Sequence, residues 1–169
     1  MPCFERPTRA AAARRLLFVA GLFALDQLSK DLTERMVGLS GRQLLGPLWL
    51  ETVPDPKHSL FGHSASWLLA MAGYLFSLLV AAGVLLVATS RWAIAGSALV
   101  LAGVLGNGAD LAVRPAGVVN FLNLHLGSLW YTCNLSDLAI FSGAAILAGV
   151  TIRRVGAFEQ RRSWSRVRS

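Results

Sequence analysis

The chain has 169 residues, of which 54% are hydrophobic and only 15% are charged. Ordinary soluble domains contain about 45–50% apolar and about 25% charged residues, so this composition favours a helical membrane protein over a soluble one. The net charge of +7 is compatible with nucleic-acid binding. However, the basic residues cluster at the two ends of the chain and are not interleaved with aromatic residues, which argues against a nucleic-acid partner.

Four apolar segments follow one another along the chain, and each predicts a membrane-spanning helix. Residues 67–89 and 92–109 carry no charge. At 1.5 Å per residue they are long enough to cross a hydrocarbon core of about 30 Å. Residues 16–25 form a shorter run that we expect to continue as helix to about residue 37. Residues 138–152 reach spanning length if their helix begins near Asn134. The predicted fold is therefore an all-α membrane domain of four transmembrane helices over residues 16–152.

The distribution of lysine and arginine predicts that both termini are cytoplasmic. Most of the 16 basic residues precede the first segment, follow the last or lie in the turn at Arg91, and cytoplasmic loops carry an excess of such residues. Residues 1–15 and 153–169 are then basic cytoplasmic tails, the second predicted to be disordered and attracted to anionic lipid. Residues 38–66 and 111–133 become the outer loops. Residues 44–53 of the first loop predict a short strand or a flap on the outer surface.

Polar residues gather where three of the segments meet the predicted outer side. They are Asp26 and Lys30, Asn107 and Asp110, and Asn134 and Asp137. Ionisable groups at membrane depth are costly and mark functional sites, so we expect Asp110 and Asp137 to converge for acid/base chemistry.

Each of these residues also has a structural interpretation. Asp137 is placed to stabilise the start of a helix through the helix dipole, and Asp110 to support a neighbouring site or end a helix in interfacial water. Asp26 and Lys30 lie four residues apart on one helix face. They would pair with each other or reach a lipid headgroup.

The polar residues fall in four ordered motifs. Residues 26–30 resemble Asp-Gln-x-Ser/Thr-Lys, and residues 106–110 resemble Gly-Asn-x-x-Asp. Residues 117–125 resemble a Val-Val-Asp-Phe-x-Asp-x-His stretch in which both acids are replaced by amides. Residues 134–137 resemble Asn-x-Ala-Asp. In this order and spacing they resemble the lipoprotein signal peptidase family, also called signal peptidase II, of which the chain would be a divergent member.

The resemblance implies an aspartic endopeptidase of the bacterial cytoplasmic (inner) membrane with its active site facing out. Such enzymes remove signal peptides from prolipoproteins, cutting before a cysteine that carries diacylglycerol, and need no metal or cofactor. The implied partners are the diacylated prolipoprotein signal peptide and membrane lipid. The three histidines and two cysteines show no metal-ligand spacing of their own.

The implied catalytic residues are two aspartates that activate a water. The second corresponds to Asp137, whereas the first falls on Asn120, an amide. Leu111 also follows Asp110 where the family usually has arginine. The implied substrate-binding residues are Asp26, Lys30, Asn107, Asn123, Asn134 and Phe61.

Two functions remain open on these residues. The first is a divergent peptidase that uses Asp137, with Asp110 recruited as a substitute for the missing acid. The second is a catalytically impaired relative that binds lipoprotein, lipid or an inhibitor without cleaving, because Asn120 replaces a dyad aspartate. A plain structural four-span protein is a third interpretation.

Overall fold

The computed structural model describes residues 8–37, 41–55, 65–114 and 117–167. Four helices and four strands occur in these ranges. In chain order they are α1 (Arg9–Met36), β1 (Arg42–Leu45), β2 (Leu48–Asp55), α2 (Ala65–Val87), α3 (Arg91–Val113), β3 (Val118–Leu126), β4 (Leu129–Cys133) and α4 (Leu135–Val167). Helix α3 packs against each of the other three helices and so forms the centre of the bundle.

The helices coincide with the four predicted apolar segments, and α1 continues through its polar half as expected. Two stretches of the described chain, Arg91–Val113 and Leu135–Phe158, are long and apolar enough to cross a membrane, and Ala72–Val87 is a shorter apolar helix. The helical architecture is therefore as predicted, while four membrane crossings and cytoplasmic termini remain predictions.

Helix α1 is attached to α2 at the end opposite the sheet. The Arg15 guanidinium donates to the carbonyl oxygens of Leu85 and Ala88, at 3.0 Å for Ala88. The last carbonyls of a helix have no partner within the helix itself. Arg15 therefore satisfies one of them, on Leu85, together with the carbonyl that directly follows α2, and fixes the end of α2 against α1.

The strands form one antiparallel sheet in the order β1-β2-β3-β4. Strands β1 and β2 confirm the strand predicted within residues 44–53. Residues 111–133, predicted as an outer loop, contain the end of α3 to Val113 and then the β3–β4 hairpin. Gly46 and Gly127, with φ of 51° and 62°, form the hairpin turns, where glycine adopts a positive φ without steric cost.

The basic C-terminal segment is helical to Val167, so its predicted disorder was wrong. Extending an existing helix avoids the cost of nucleation. Arginine, the most frequent residue of this segment, is a good helix former. A segment too polar for the membrane can therefore still continue the last helix.

Glycines allow α3 and α4 to approach closely. A Cβ added at Gly103 would lie 2.4 Å from the Ser136 carbonyl oxygen, and one at Gly143 would lie 2.5 Å from the Gly96 carbonyl oxygen. Small residues at helix interfaces permit this kind of contact in membrane proteins. The close contact brings the start of α4 against the polar end of α3.

We expect Gly103→Ala to lower the free energy of unfolding by about 1–3 kcal/mol, because backbone must move to admit the added methyl group. Thermal or denaturant unfolding in detergent measures the change. The matched control is Gly83→Ala on α2, where the added Cβ meets open space. There alanine should be neutral or stabilise the helix by up to about 1 kcal/mol. Equal stability of the two variants would contradict the close packing.

Candidate active site

A buried lysine stands at the centre of the polar end of the bundle. The Lys30 amino group lies 2.7 Å from an Asp26 oxygen and 2.8 Å from an Asp110 oxygen. It also donates to the Asn107 side-chain oxygen at 3.2 Å. Lys30 is fully buried, and a buried charge is tolerated only when it is paired and hydrogen-bonded. These contacts supply that compensation and join α1 to α3.

The predicted pairing of Asp26 with Lys30 is confirmed, while their contact with substrate stays a prediction. Their side chains form an ion pair that is almost completely buried. Asp26 also accepts a hydrogen bond of 2.9 Å from the Ser136 backbone amide. The pair therefore links α1 to the first turn of α4, next to the candidate site.

Asp110 uses both carboxylate oxygens. One oxygen accepts from Arg114 at 3.1 Å and from Gln27 at 3.2 Å. The other accepts from Lys30 at 2.8 Å and from the Val119 backbone amide at 3.2 Å. Because a carboxylate offers about four acceptor positions, these donors occupy it fully. This geometry favours the supporting role of Asp110 and argues against its use as a substitute catalytic acid.

Arg114 is a site residue that the sequence reasoning missed. Its guanidinium contacts Asp110, Asp31 at 2.6 Å and Glu34, and so connects the end of α3 to α1. The available signal was its position four residues after Asp110, which places the two side chains on one helix face. An arginine therefore lies beside Asp110 even though Leu111 directly follows it in sequence.

Asn134 brings the candidate catalytic positions together. Its amide nitrogen donates to the side-chain oxygens of Asn120 and Asn107, both at 2.9 Å, and to the Val119 carbonyl at 3.2 Å. The Asn107 amide nitrogen in turn donates to Asp137 at 2.7 Å. Asn107 and Asn134 are buried, and their hydrogen bonds orient the Asn120 and Asp137 side chains.

Asp137 and Asn134 also cap helix α4 reciprocally. The Asn134 side-chain oxygen accepts from the Asp137 amide at 2.9 Å, and the Asp137 carboxylate accepts from the Asn134 amide at 3.1 Å. This is the arrangement of a capping box. The structural interpretation of Asp137 is therefore confirmed. Its carboxylate is only partly buried, and each oxygen keeps capacity for a further donor such as water.

Asn120 is held in one orientation by its contact with Asn134. Its side-chain oxygen is an acceptor, and an aspartate at the same position could accept the same hydrogen bond with one of its oxygens. The surrounding donors therefore suit either an amide or a carboxylate. The site keeps the polar frame that a second acid would require.

The remaining predicted residues lie away from this cluster. Asn123 donates to the Glu51 carbonyl at 2.9 Å, which ties β3 to β2, and its contact with substrate stays a prediction. His125 is stacked between Trp49 and Trp130, with ring centroids at 5.3 and 4.3 Å. Phe61 lies outside the described residues. Within the ranges that the structure describes, no group of three or more His, Cys, Asp or Glu could hold a metal.

Cys133, at the end of β4, provides a chemical probe of the site. Burial and the nearby charge of Asp137 raise the pKa of its thiol. Since the thiolate is the reactive form, alkylation of Cys133 at neutral pH should be slower than that of a free thiol, whose pKa is about 8.5. The midpoint of a plot of alkylation rate against pH should lie above that value.

The measurement uses Cys3→Ser protein and a water-soluble alkylating reagent. Asp137→Asn removes the negative charge, so the midpoint should fall towards that of a free thiol. A midpoint that does not respond to this substitution would contradict the proximity of the two side chains.

Comparison with known proteins decides the family. A family model described as Signal peptidase (SPase) II matches residues 18–153, which is most of the chain. This protein belongs to the signal peptidase II family. The resemblance found in the sequence motifs is thereby confirmed.

Individual relatives support the same assignment. The chain is 38% identical over 135 residues to a lipoprotein signal peptidase of Synechococcus sp. (strain RCC307), covering 74% of this chain and 85% of that protein. It is 35% identical over 101 residues to the lipoprotein signal peptidase of Beijerinckia indica, covering 57% of this chain but only 59% of that protein's length.

Solved structures share the fold. A bacterial membrane enzyme determined in meso at 1.9 Å matches with a TM-score of 0.71 and 13% identity, covering 88% of this chain and 96% of that one. A second, determined at 2.3 Å, matches with a TM-score of 0.67, also at 13% identity, covering 85% of this chain and 90% of that one. The helical bundle with its small antiparallel sheet is thus the architecture of known membrane enzymes.

Proposed function

We propose that this protein removes signal peptides from diacylglyceryl-modified prolipoproteins in the bacterial inner membrane, using Asp137 as its single catalytic carboxylate. Family membership supports the substrate class. The observation that carries the proposal is the partly buried Asp137 carboxylate. The Asn107 side chain and the Asn134 backbone amide orient it, and each of its oxygens can still accept a proton or a hydrogen bond from water.

The proposed reaction needs one group that moves protons. Asp137 takes a proton from water as the water oxygen attacks the scissile carbonyl carbon. The C–N bond then breaks, and the proton passes to the departing nitrogen, which becomes the amino group of the lipid-modified cysteine. Asn120 contributes a hydrogen-bonding amide near the reacting groups, but it cannot exchange protons near neutral pH.

A second candidate function is recognition of the same substrate without cleavage. Asn120 at the first dyad position favours it, together with the complete engagement of Asp110 by Lys30, Arg114, Gln27 and Val119. Removing one of two acid/base partners typically costs about 10²–10⁴-fold in rate. The two candidates therefore differ only in whether residual turnover exists.

The test incubates the purified full chain with a diacylated prolipoprotein peptide and follows the products by mass spectrometry. We expect slow cleavage before the modified cysteine, and its loss in Asp137→Asn. An unmodified peptide serves as the substrate control and should not be cleaved.

Binding of the same peptide is measured in parallel. Binding without any cleavage would establish the second candidate, and absence of both would refute both functions. Expression in cells lacking signal peptidase II provides an independent readout, since processed lipoprotein should appear at a low level.

A further inference from the structure

A cavity with basic residues lies at the end of the bundle opposite the candidate active site. It has a volume of about 410 Å³ and is formed between the start of α3 and the second half of α4. Its lining is Ser90, Trp92, Ala145, Ile146, Gly149, Val150, Arg153 and Arg154. The volume lies within the range of about 300–1,000 Å³ that is usual for ligand pockets.

The charge at the mouth of this cavity is uncompensated. Arg153 and Arg154 are exposed, and neither forms an ion pair in the described part of the chain. The Arg91 guanidinium lies 5.4 Å from the centre of the Trp92 ring, which keeps a third positive charge at the same level. Ser90 begins α3 without a capping hydrogen bond from its side chain, so its hydroxyl is available to a ligand.

The walls of the cavity are apolar. Ala145, Ile146 and Val150 of α4 face the half-exposed Trp92 ring across the cavity. A tryptophan at this level is typical of the boundary between hydrocarbon and headgroups. The cavity thus combines an anion-binding mouth with a hydrocarbon-like interior.

We propose that this cavity binds an anionic phospholipid, with the lipid phosphate on Arg153 and Arg154 and an acyl chain along Val150 and Trp92. Basic pockets between membrane helices bind anionic headgroups. The apolar walls favour a lipid over a free phosphate, because a free phosphate would gain nothing from them. This site is independent of the proposed peptidase activity, and its test needs no turnover.

The test titrates the detergent-solubilised full chain with dioctanoyl phosphatidylglycerol and counts bound lipid by native mass spectrometry. Dioctanoyl phosphatidylcholine and glycerol 3-phosphate are the comparison ligands. Phosphatidylglycerol should bind at least about tenfold more tightly than either one, given the attraction of clustered arginines for anionic headgroups. Equal binding of phosphatidylcholine, or binding of glycerol 3-phosphate as tight as that of phosphatidylglycerol, would overturn the proposal.

Two pairs of variants distinguish lipid binding in the cavity from a general attraction of the lipid to a basic helix. Arg153→Gln with Arg154→Gln should weaken phosphatidylglycerol binding at least about tenfold. Arg161→Gln with Arg162→Gln makes the same charge change further along α4 and should have little effect. If the two double variants weaken binding equally, the attraction is general and the site does not exist.

The second pair changes shape without changing charge. Gly149 lines the cavity and its added Cβ meets open space, so Gly149→Leu should fill the cavity and displace the acyl chain. Gly156→Leu, where the added Cβ also meets open space on α4 but outside the cavity, is its control. Unchanged phosphatidylglycerol binding by Gly149→Leu would refute the acyl-chain position and with it the site.

Discussion

Asn120→Asp is expected to raise the rate of prolipoprotein cleavage by about 10²–10⁴-fold, the usual contribution of a second acid/base group. Two carboxylates a few ångströms apart cannot both ionise readily, so one stays protonated as an acid while the other acts as a base. Asn134 already donates to the oxygen at position 120, and the new carboxylate could accept the same hydrogen bond. The substitution therefore restores the missing charge within an existing frame.

The measurement compares cleavage rates of the diacylated peptide by wild-type and variant protein at matched binding. Asn120→Asp with Asp137→Asn should lose this gain, because only one carboxylate is again present. Asn123→Asp makes the same chemical change on the same strand, away from Asp137, and should give no gain. If Asn120→Asp binds the peptide and cleaves no faster than wild type, position 120 does not contribute to catalysis.

Lys30→Met is expected to cause the largest loss of stability, about 3–5 kcal/mol in the free energy of unfolding. The substitution would leave the Asp26 and Asp110 carboxylates buried without the cation that both contact. Unfolding in detergent, followed by circular dichroism, measures the loss.

The control for this prediction neutralises the acids as well. Adding Asp26→Asn and Asp110→Asn to Lys30→Met should recover part of the stability, because no unpaired charge remains buried. Arg35→Met on the same helix removes an exposed cation that pairs with no acid among the described residues, and it should change stability little. Equal losses for the variants at positions 30 and 35 would contradict the buried network.

The helices could be predicted from the sequence because long apolar segments have few alternatives in a membrane protein. The β3–β4 hairpin could not be predicted with the same ease. Both strands fall in the predicted outer loop, and β4 has only five residues. Strand β3 pairs with β4 and also with β2, which comes from a distant part of the chain. No local pattern shows that second pairing.

The sequence predicts the site only in part, again because tertiary packing contributes. The motifs identified Asn120, Asn134 and Asp137 as neighbours, and the structure brings them together around one amide. Burial depends on tertiary packing, which no local pattern reveals. The sequence therefore did not show that Lys30 is enclosed or that Asn123 pairs with backbone.

At Leu111 this chain departs from the family motif, yet the folded structure still places an arginine beside Asp110. The family usually has arginine directly after the acid that Asp110 matches, whereas here Arg114 supplies a guanidinium one helical turn later. Its contacts with Asp31 and Glu34 add a connection to α1. The charge beside Asp110 is retained although the linear motif is broken.

Helix α1 is fastened at two separated levels. Arg15 binds the end of α2, while Lys30, 15 residues further along and thus about 22 Å away, is enclosed by acids of α1 and α3. A helix fixed at both positions cannot rotate outward about either one. Any movement that opens the site must therefore come from the elements packed around α1, because α1 itself is fixed.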